Sequence, residues 1–240
     1  MKPLFLPLTF LCFLTFNLQA QDLFVNPSGT CAGGTPCYTT IQAAVSAATA
    51  GQTIGIEPGT YPEEVTIDKS LTLEGTGANR TDALIDGGGT RNNGIIVQSG
   101  VTNVTIRNLS IEDTDGGSNH AGIRAFANCD NITIENVLIT DAPGRGGIYV
   151  DGPVDGVTIT DVEVTGSGVN GRGIVVWNGF KQNVSITNCF VHDISGCCGI
   201  ELQDGTASGV TMNSNTVERV GDSGMSAVGL RAGAGANSMS

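Results

Sequence analysis

Arg145 and Arg172 each stand between two glycines, and His120 lies about as far ahead of the first as the second lies behind it. A guanidinium stays charged at every physiological pH and offers a planar fork of donors to a carboxylate, whereas an imidazole exchanges a proton near neutrality. Brought together, such groups could hold a uronate sugar, stabilise the enolate-like charge formed when its acidic carbon-bound proton leaves, and move that proton. His120, Arg145 and Arg172 are therefore the candidate catalytic set. Asp115, Asp141 and Asp193 could instead neutralise the arginines as ordinary surface ion pairs. Close by in the sequence lie Arg124, Phe126, Tyr149, Asp151, Trp177 and Glu201, which include the only tryptophan and one of the three tyrosines. Rings suit the apolar faces of sugars and charged groups suit their edges, so these six are candidate substrate-binding residues. Asp113 and Asp115, in a glycine-rich turn, offer the hard oxygen ligands that calcium takes, which makes calcium the candidate cofactor.

Residues so far apart meet only if the chain stacks on itself. Five segments recur: GIIVQSGVTNVTIRNLSI, GIRAFANCDNITIENVLI, GIYVDGPVDGVTITDVEV, GIVVWNGFKQNVSITNCFV and GIELQDGTASGVTMNSNTV. Their leading glycines are Gly94, Gly122, Gly147, Gly173 and Gly199, and the interval between them is nearly constant. A fixed period of this size marks a solenoid. Each unit holds three short runs of alternating apolar and polar residues, separated by Gly, Asn and Asp turns. These features predict an all-β, right-handed parallel β-helix with three strands in each coil of about 26 residues. Alternation then turns Ile123, Ile148, Ile174 and Ile200 inward. Outward fall one column of Arg124, Tyr149, Val175 and Glu201, a second of Phe126, Asp151, Trp177 and Gln203, and beyond them Arg231.

A turn in every coil carries Asn108, Asn136, Asp161, Asn188 and Ser214, which keep the same period as the glycines. Coils stacked about 4.8 Å apart would let these side chains hydrogen-bond along the axis. This is a structural ladder, because buried turns need such partners for their backbone groups. The glycosylation sequons at Asn103, Asn108, Asn131 and Asn183 arise from the same repeat and would be glycan acceptors only in a eukaryotic host. Before the repeats, TTIQAAVSAATAG places Ile41, Ala44, Val45 and Ala48 at helical spacing with Gly51 as a stop, predicting an amphipathic helix that caps the open end. The next stretch, TIGIEPGTYPEEVTIDKSLTLEG, supplies the strands of the first coil. At the far end Gly229, Leu230 and Arg231 open a further coil that runs to Ser240 without a cap, as expected of part of a longer protein.

Lys2, an apolar run from Leu4 to Phe16, and small Ala20 before Gln21 and Asp22 have the pattern of a secretory signal peptide over residues 1–20. Residues 21–240 are then one β-helix domain, and the protein is expected outside the cell, in a periplasm or on a cell surface. The run is too short to span a bilayer comfortably, so no membrane span is expected. Removing Lys2 leaves 10 basic against 23 acidic residues, a formal charge of −13, which argues against nucleic acid as a partner. Cys31 and Cys37 bracket the loop CAGGTPC and are the first choice for a disulfide. Cys129, Cys189, Cys197 and Cys198 remain, and Cys189 falls at an apolar repeat position. Neither His120 nor His192 completes a spacing that suits zinc. Oligomeric state leaves no trace in the sequence.

YTTIQAAVSAATAGQTIGIEPGTYPEEVTIDKSLTLEG resembles the opening of proteins of the pectin-lyase-like β-helix superfamily, and the repeats from Gly94 onward continue the likeness. The resemblance implies a polysaccharide partner, acidic if the arginines bind it. Asp113-Thr114-Asp115-Gly116 is similar to the first motif of polygalacturonases, but the Gly-Asp-Asp, Gly-His-Gly and Arg-Ile-Lys elements that should follow are missing. The aspartates of pectin esterases in their usual setting and the Arg-x-Pro-x-x-Arg pattern of pectate lyases are missing too. Hydrolysis by two opposed carboxylates therefore has no support, and a uronate lyase is the favoured enzymatic reading. A structural or adhesive surface solenoid without catalysis is the competing one.

Overall fold

Strands form here wherever β-branched residues alternate with polar ones, and they bend where a residue must enter the left-handed region of backbone space. The computed structural model describes residues 21–167, 171–221 and 228–232, so the signal peptide expected at 1–20 lies outside the described residues. Seven strands, Val65–Ile67, Asn93–Val97, Ala121–Ala125, Gly146–Asp151, Arg172–Trp177, Cys198–Gln203 and Val228–Ala232, stack in parallel as one face, the front sheet. Register keeps Ile95, Ile123, Ile148, Ile174, Ile200 and Leu230 in one line along the axis. The remaining strands make a 15-stranded sheet in which Val104–Glu112 and Ile132–Thr140 run through the turns at Asn108 and Asn136. Higher coils break at that point into Val154–Thr160 with Glu163–Thr165, and Lys181–Thr187 with Phe190–Ile194. One buried cluster of Ile, Val, Leu and Ala runs from Leu23 to Val210, so a single core fills the solenoid. Among the described residues no helix is long and apolar enough to cross a membrane.

The helix Ile41–Ala47 buries Ile41, Ala44 and Val45 against the first coil, and Thr40 caps it by accepting a hydrogen bond from Ala43 N at 3.2 Å. Glu63 sits at the same end, accepting from Ile41 N at 2.7 Å and Gln42 N at 2.9 Å. The strand Leu23–Val25, not foreseen from the repeat, adds another rung by pairing with Thr53–Ile56. The disulfide between Cys31 and Cys37 closes the loop beside it.

The turn positions have a sharper cause than amide stacking. Asn108, Asn136, Asp161, Asn188 and Ser214 all have φ between 49° and 57°. Asn103, Asn131 and Asn183 form a second left-handed column, with Gly156 and Gly209 completing it. Asn and Asp tolerate this conformation because their short polar side chains bond locally, while Gly has no Cβ to clash. Asn136 Nδ2 donates to Asn108 Oδ1 at 3.0 Å, but among the described residues no side-chain bond continues from Asn136 to Asp161 or from Asp161 to Asn188. In the second column Asn131 donates to Asn103 Oδ1 at 3.2 Å. Asn136→Ala is accordingly expected to cost about 1 to 2 kcal/mol in urea unfolding, because it loses both the tolerated φ and the amide bond. Asn136→Gly keeps the φ and should cost distinctly less; equal losses would transfer the effect to the amide bond alone.

The leading glycines answer a different need. None has a positive φ, but a Cβ on Gly122 would stand 2.5 Å from Ile139 Cγ2 and 2.8 Å from Gly147 O. The repeat keeps glycine where the chain enters the front sheet because the next coil's backbone already occupies the space.

One inward position departs from the apolar rule. Lys181 lies in register between Val154 and Ala207 and is 2% exposed. Its ammonium donates to the carbonyls of Asn178 at 2.8 Å and Gly179 at 3.1 Å, and also to that of Asp204.

Candidate functional site

The outer face of the front sheet gathers the residues singled out from the sequence. Arg124 Cζ lies 4.1 Å from the ring centre of Phe126 and 5.3 Å from that of Tyr149. Arg145 Cζ lies 5.2 Å from Tyr149 and 4.0 Å from Trp177, and Arg172 Cζ is 5.0 Å from Trp177. Arg172 Nε donates to Glu201 Oε2 at 2.6 Å. Along the axis the face therefore alternates ring and cation from Phe126 to Glu201, an arrangement in which each guanidinium meets the electron-rich face of a ring.

The rings and charges of this face are covered to different degrees. Tyr149 is 3% exposed, Val175 and Glu201 are fully buried, and Ala121, Tyr149 and Val175 form a small apolar patch of their own, with Trp177 packed on it. The first column does point away from the core, but the arginines fold over it. Phe126 and Trp177 are half-buried, and Asp151 accepts a hydrogen bond from Asn178 Nδ2 at 2.9 Å. Burial pushes the Tyr149 hydroxyl pKa up, the Asp151 charge adds to this, and Arg145 and Arg124 oppose it.

The charge partners also differ from those expected. Arg172 pairs with Glu201, whereas Asp193 pairs with Arg219 and His192 on another face. Arg124 Nη1 donates to the Asn119 carbonyl at 2.5 Å. Among the described residues neither Arg124 nor Arg145 has a carboxylate partner, and the Nε of each is buried without a hydrogen bond. His120 joins the site through the backbone, its carbonyl accepting from Arg145 N at 2.5 Å. The imidazole Nδ1 lies 3.6 Å from Asp115 Oδ2. Among the described residues neither Asp113 nor Asp115 belongs to a group of three converging His, Cys, Asp or Glu side chains. The one such group is Cys197, Cys198 and Glu201.

A second polar cluster, on the sheet beyond the ladder turn, was not foreseen. His192 Nε2 lies 3.2 Å from Glu163 Oε1 and its Nδ1 lies 2.6 Å from Asp193 Oδ2, while Phe190 stacks on the ring at 4.2 Å. Arg219 binds Asp193 on the outside and holds that carboxyl well below the usual carboxylate range, with His192 contributing next. Arg80 reaches up from the loop after Leu71–Gly75 to Glu163, three coils further on, and borders a cleft of ≈ 430 Å³ with Asn136, Asn188 and Phe190. The coil period already aligned Glu163 with Phe190 and Thr165 with His192, and that signal was available in the sequence. The reach of Arg80 had none.

Comparison with known proteins agrees with the architecture. A family model described as a right handed beta helix region matches residues 74–237. No curated protein matches the sequence. Among solved structures, a pectin methylesterase in complex with a hexasaccharide is similar at 15% identity and a TM-score of 0.56, over 81% of this chain and 70% of that one. A rhamnogalacturonan lyase is similar at 13% identity and a TM-score of 0.60, over 89% of this chain and 62% of that one. At such identities the likeness is one of fold. With its parallel coils, left-handed turn columns and matched repeat region, the chain belongs to the right-handed β-helix family.

Proposed function

We propose that this protein binds, and modifies, an acidic polysaccharide along the outer face of the front sheet. The observation that carries this reading is the pair Arg124 and Arg145. They are two guanidinium groups without carboxylate partners among the described residues, laid on aromatic rings, in a chain whose net charge is −12. Such a charge repels a polyanion overall, so a strip where cations outnumber anions is where one would dock. Uronate carboxylates take bidentate hydrogen bonds from Arg, and displaced guanidinium groups would expose Phe126 and Trp177 to sugar faces. The similar structures named above are a pectin methylesterase and a rhamnogalacturonan lyase, which supports a polysaccharide as the substrate class. Disulfides at Cys31–Cys37 and Cys197–Cys198 together with the signal-peptide pattern favour an oxidising, extracellular setting.

Elimination is the reaction these residues suit. His120 would accept the proton from the carbon beside the uronate carboxylate, Arg145 and Arg172 would hold the resulting enolate-like charge, and the glycosidic oxygen would leave with its electron pair. The non-catalytic solenoid is favoured by a different observation, the burial of Tyr149 and Glu201 beneath the arginines.

Trp177 is the single tryptophan, so its emission reports on this strip alone. Titration with oligogalacturonate or oligoalginate should perturb it and neutral glycans should not. Arg145→Ala should weaken the uronate response roughly tenfold or more, the value of one lost charge-assisted contact. A rise in ultraviolet absorbance from unsaturated uronate would add elimination to binding. Silence of Trp177 towards every glycan, with none cleaved, would leave the structural solenoid as the better account.

A further inference from the structure

Cys197, Cys198 and Glu201 bring two sulfurs and a carboxylate oxygen within 4.8 Å of one another, the one converging set of metal-type ligands among the described residues. The two cysteines are joined to each other as a disulfide between sequence neighbours. Cys198 and Glu201 are fully buried, and the carboxylate is held in place by Arg172 Nε at 2.6 Å. Arg172 is also the residue in register with Cys198 on the adjacent strand. A buried carboxylate, an electropositive neighbour and a bond that reduction can open are thus combined at one corner of the solenoid.

We propose that Cys197, Cys198 and Glu201 form a redox-gated site for a thiophilic divalent cation such as zinc or cadmium. With the disulfide intact the site is closed, because sulfurs bonded to each other are uncharged and far weaker donors than the thiolates that bind metal. A dithiol reductant opens it: two electrons and two protons pass to the disulfide, the S–S bond breaks to give two thiols, and the reductant is left as its own disulfide. Arg172 favours the thiolate forms that follow. A divalent cation then releases the two thiol protons and takes two thiolates and the Glu201 carboxylate, with one position left for water, a set that suits tetrahedral zinc and not calcium. Taking Glu201 for the metal withdraws it from Arg172. Because Arg172 lies over Trp177, the state of the site reaches the front face and its fluorescence. The inference stands whether or not the face binds polysaccharide.

The test uses the full chain, reduced with a phosphine that is then removed, and titrated with cadmium chloride. The reduced protein should take up one cadmium, with the ultraviolet absorbance of cadmium–thiolate bonds and a change in Trp177 emission. The oxidised protein and Cys198→Ser should show neither. Cys31→Ser/Cys37→Ser should behave as the parent, which separates this site from the other disulfide. Should Cys198→Ser fail to fold, Glu201→Gln serves in its place, with cadmium affinity expected to fall at least about tenfold. The proposal is overturned if reduced parent binds no more cadmium than Cys198→Ser, or if Glu201→Gln binds as tightly as the parent.

Discussion

Gly173→Ala is expected to destabilise the protein by about 3 kcal/mol or more in urea unfolding, although it adds a single methyl group. A Cβ there would lie 2.2 Å from Val191 Cγ1 and 2.4 Å from Gly199 O. The valine methyl could give way, but the carbonyl belongs to the next coil's entry into the front sheet and moves only with that coil. The same conflict recurs at Gly94 with Gly122 O at 2.8 Å and at Gly147 with Gly173 O at 3.1 Å. Gly116→Ala is the control, since its Cβ would meet nothing nearer than Pro143 at 3.6 Å, and it should change stability by no more than about 0.5 kcal/mol. Strand pairing joins each coil only to its neighbours, so the defect at Gly173 should also uncouple the two ends and lower the steepness of the unfolding curve. A loss matching that of Gly116→Ala would show that the coils separate freely at this corner.

Lys181→Met should have the next largest effect, about 3 kcal/mol, because it keeps the apolar stem and leaves the carbonyls of Asn178, Gly179 and Asp204 with one donor fewer each. Burial holds the ammonium pKa below its ordinary value, with Asp204 and then Asp151 pulling it back up. Between the lowered folded value and the unfolded one the unfolded chain binds more protons, so this residue makes stability rise as pH climbs towards 10.5. The parent should therefore show an alkaline gain that Lys181→Met lacks. If melting of the variant equals that of the parent at every pH, the ammonium is not holding the two turns together.

Period and alternation made much of the fold legible in the sequence. The spacing of Gly94, Gly122, Gly147, Gly173 and Gly199 located the coils, and strand alternation assigned Ile123, Ile148, Ile174 and Ile200 to the core. The helical spacing of Ile41, Ala44 and Val45 marked the cap, and the short loop between Cys31 and Cys37 marked the disulfide. These are properties of the backbone and of neighbours in sequence, which is why a pattern can carry them.

Partners across coils are a different matter. Outward-pointing Tyr149 and Glu201 became buried because Arg145, from the turn before its strand, and Arg172, at the first position of its strand, lean onto the sheet, and alternation says which side a residue faces but not what lies over it. Arg80 crossing three coils to Glu163, Lys181 occupying an inward position, and two cysteines converging with Glu201 all depend on side-chain reach and on register set by the turns between strands. The amino-acid sequence by itself determined the coil, its period and its two faces, since those follow from local backbone preference. Only the tertiary structure decided which guanidinium groups of the front face are left without a carboxylate partner among the described residues, because that depends on distances between residues the chain brings together by stacking.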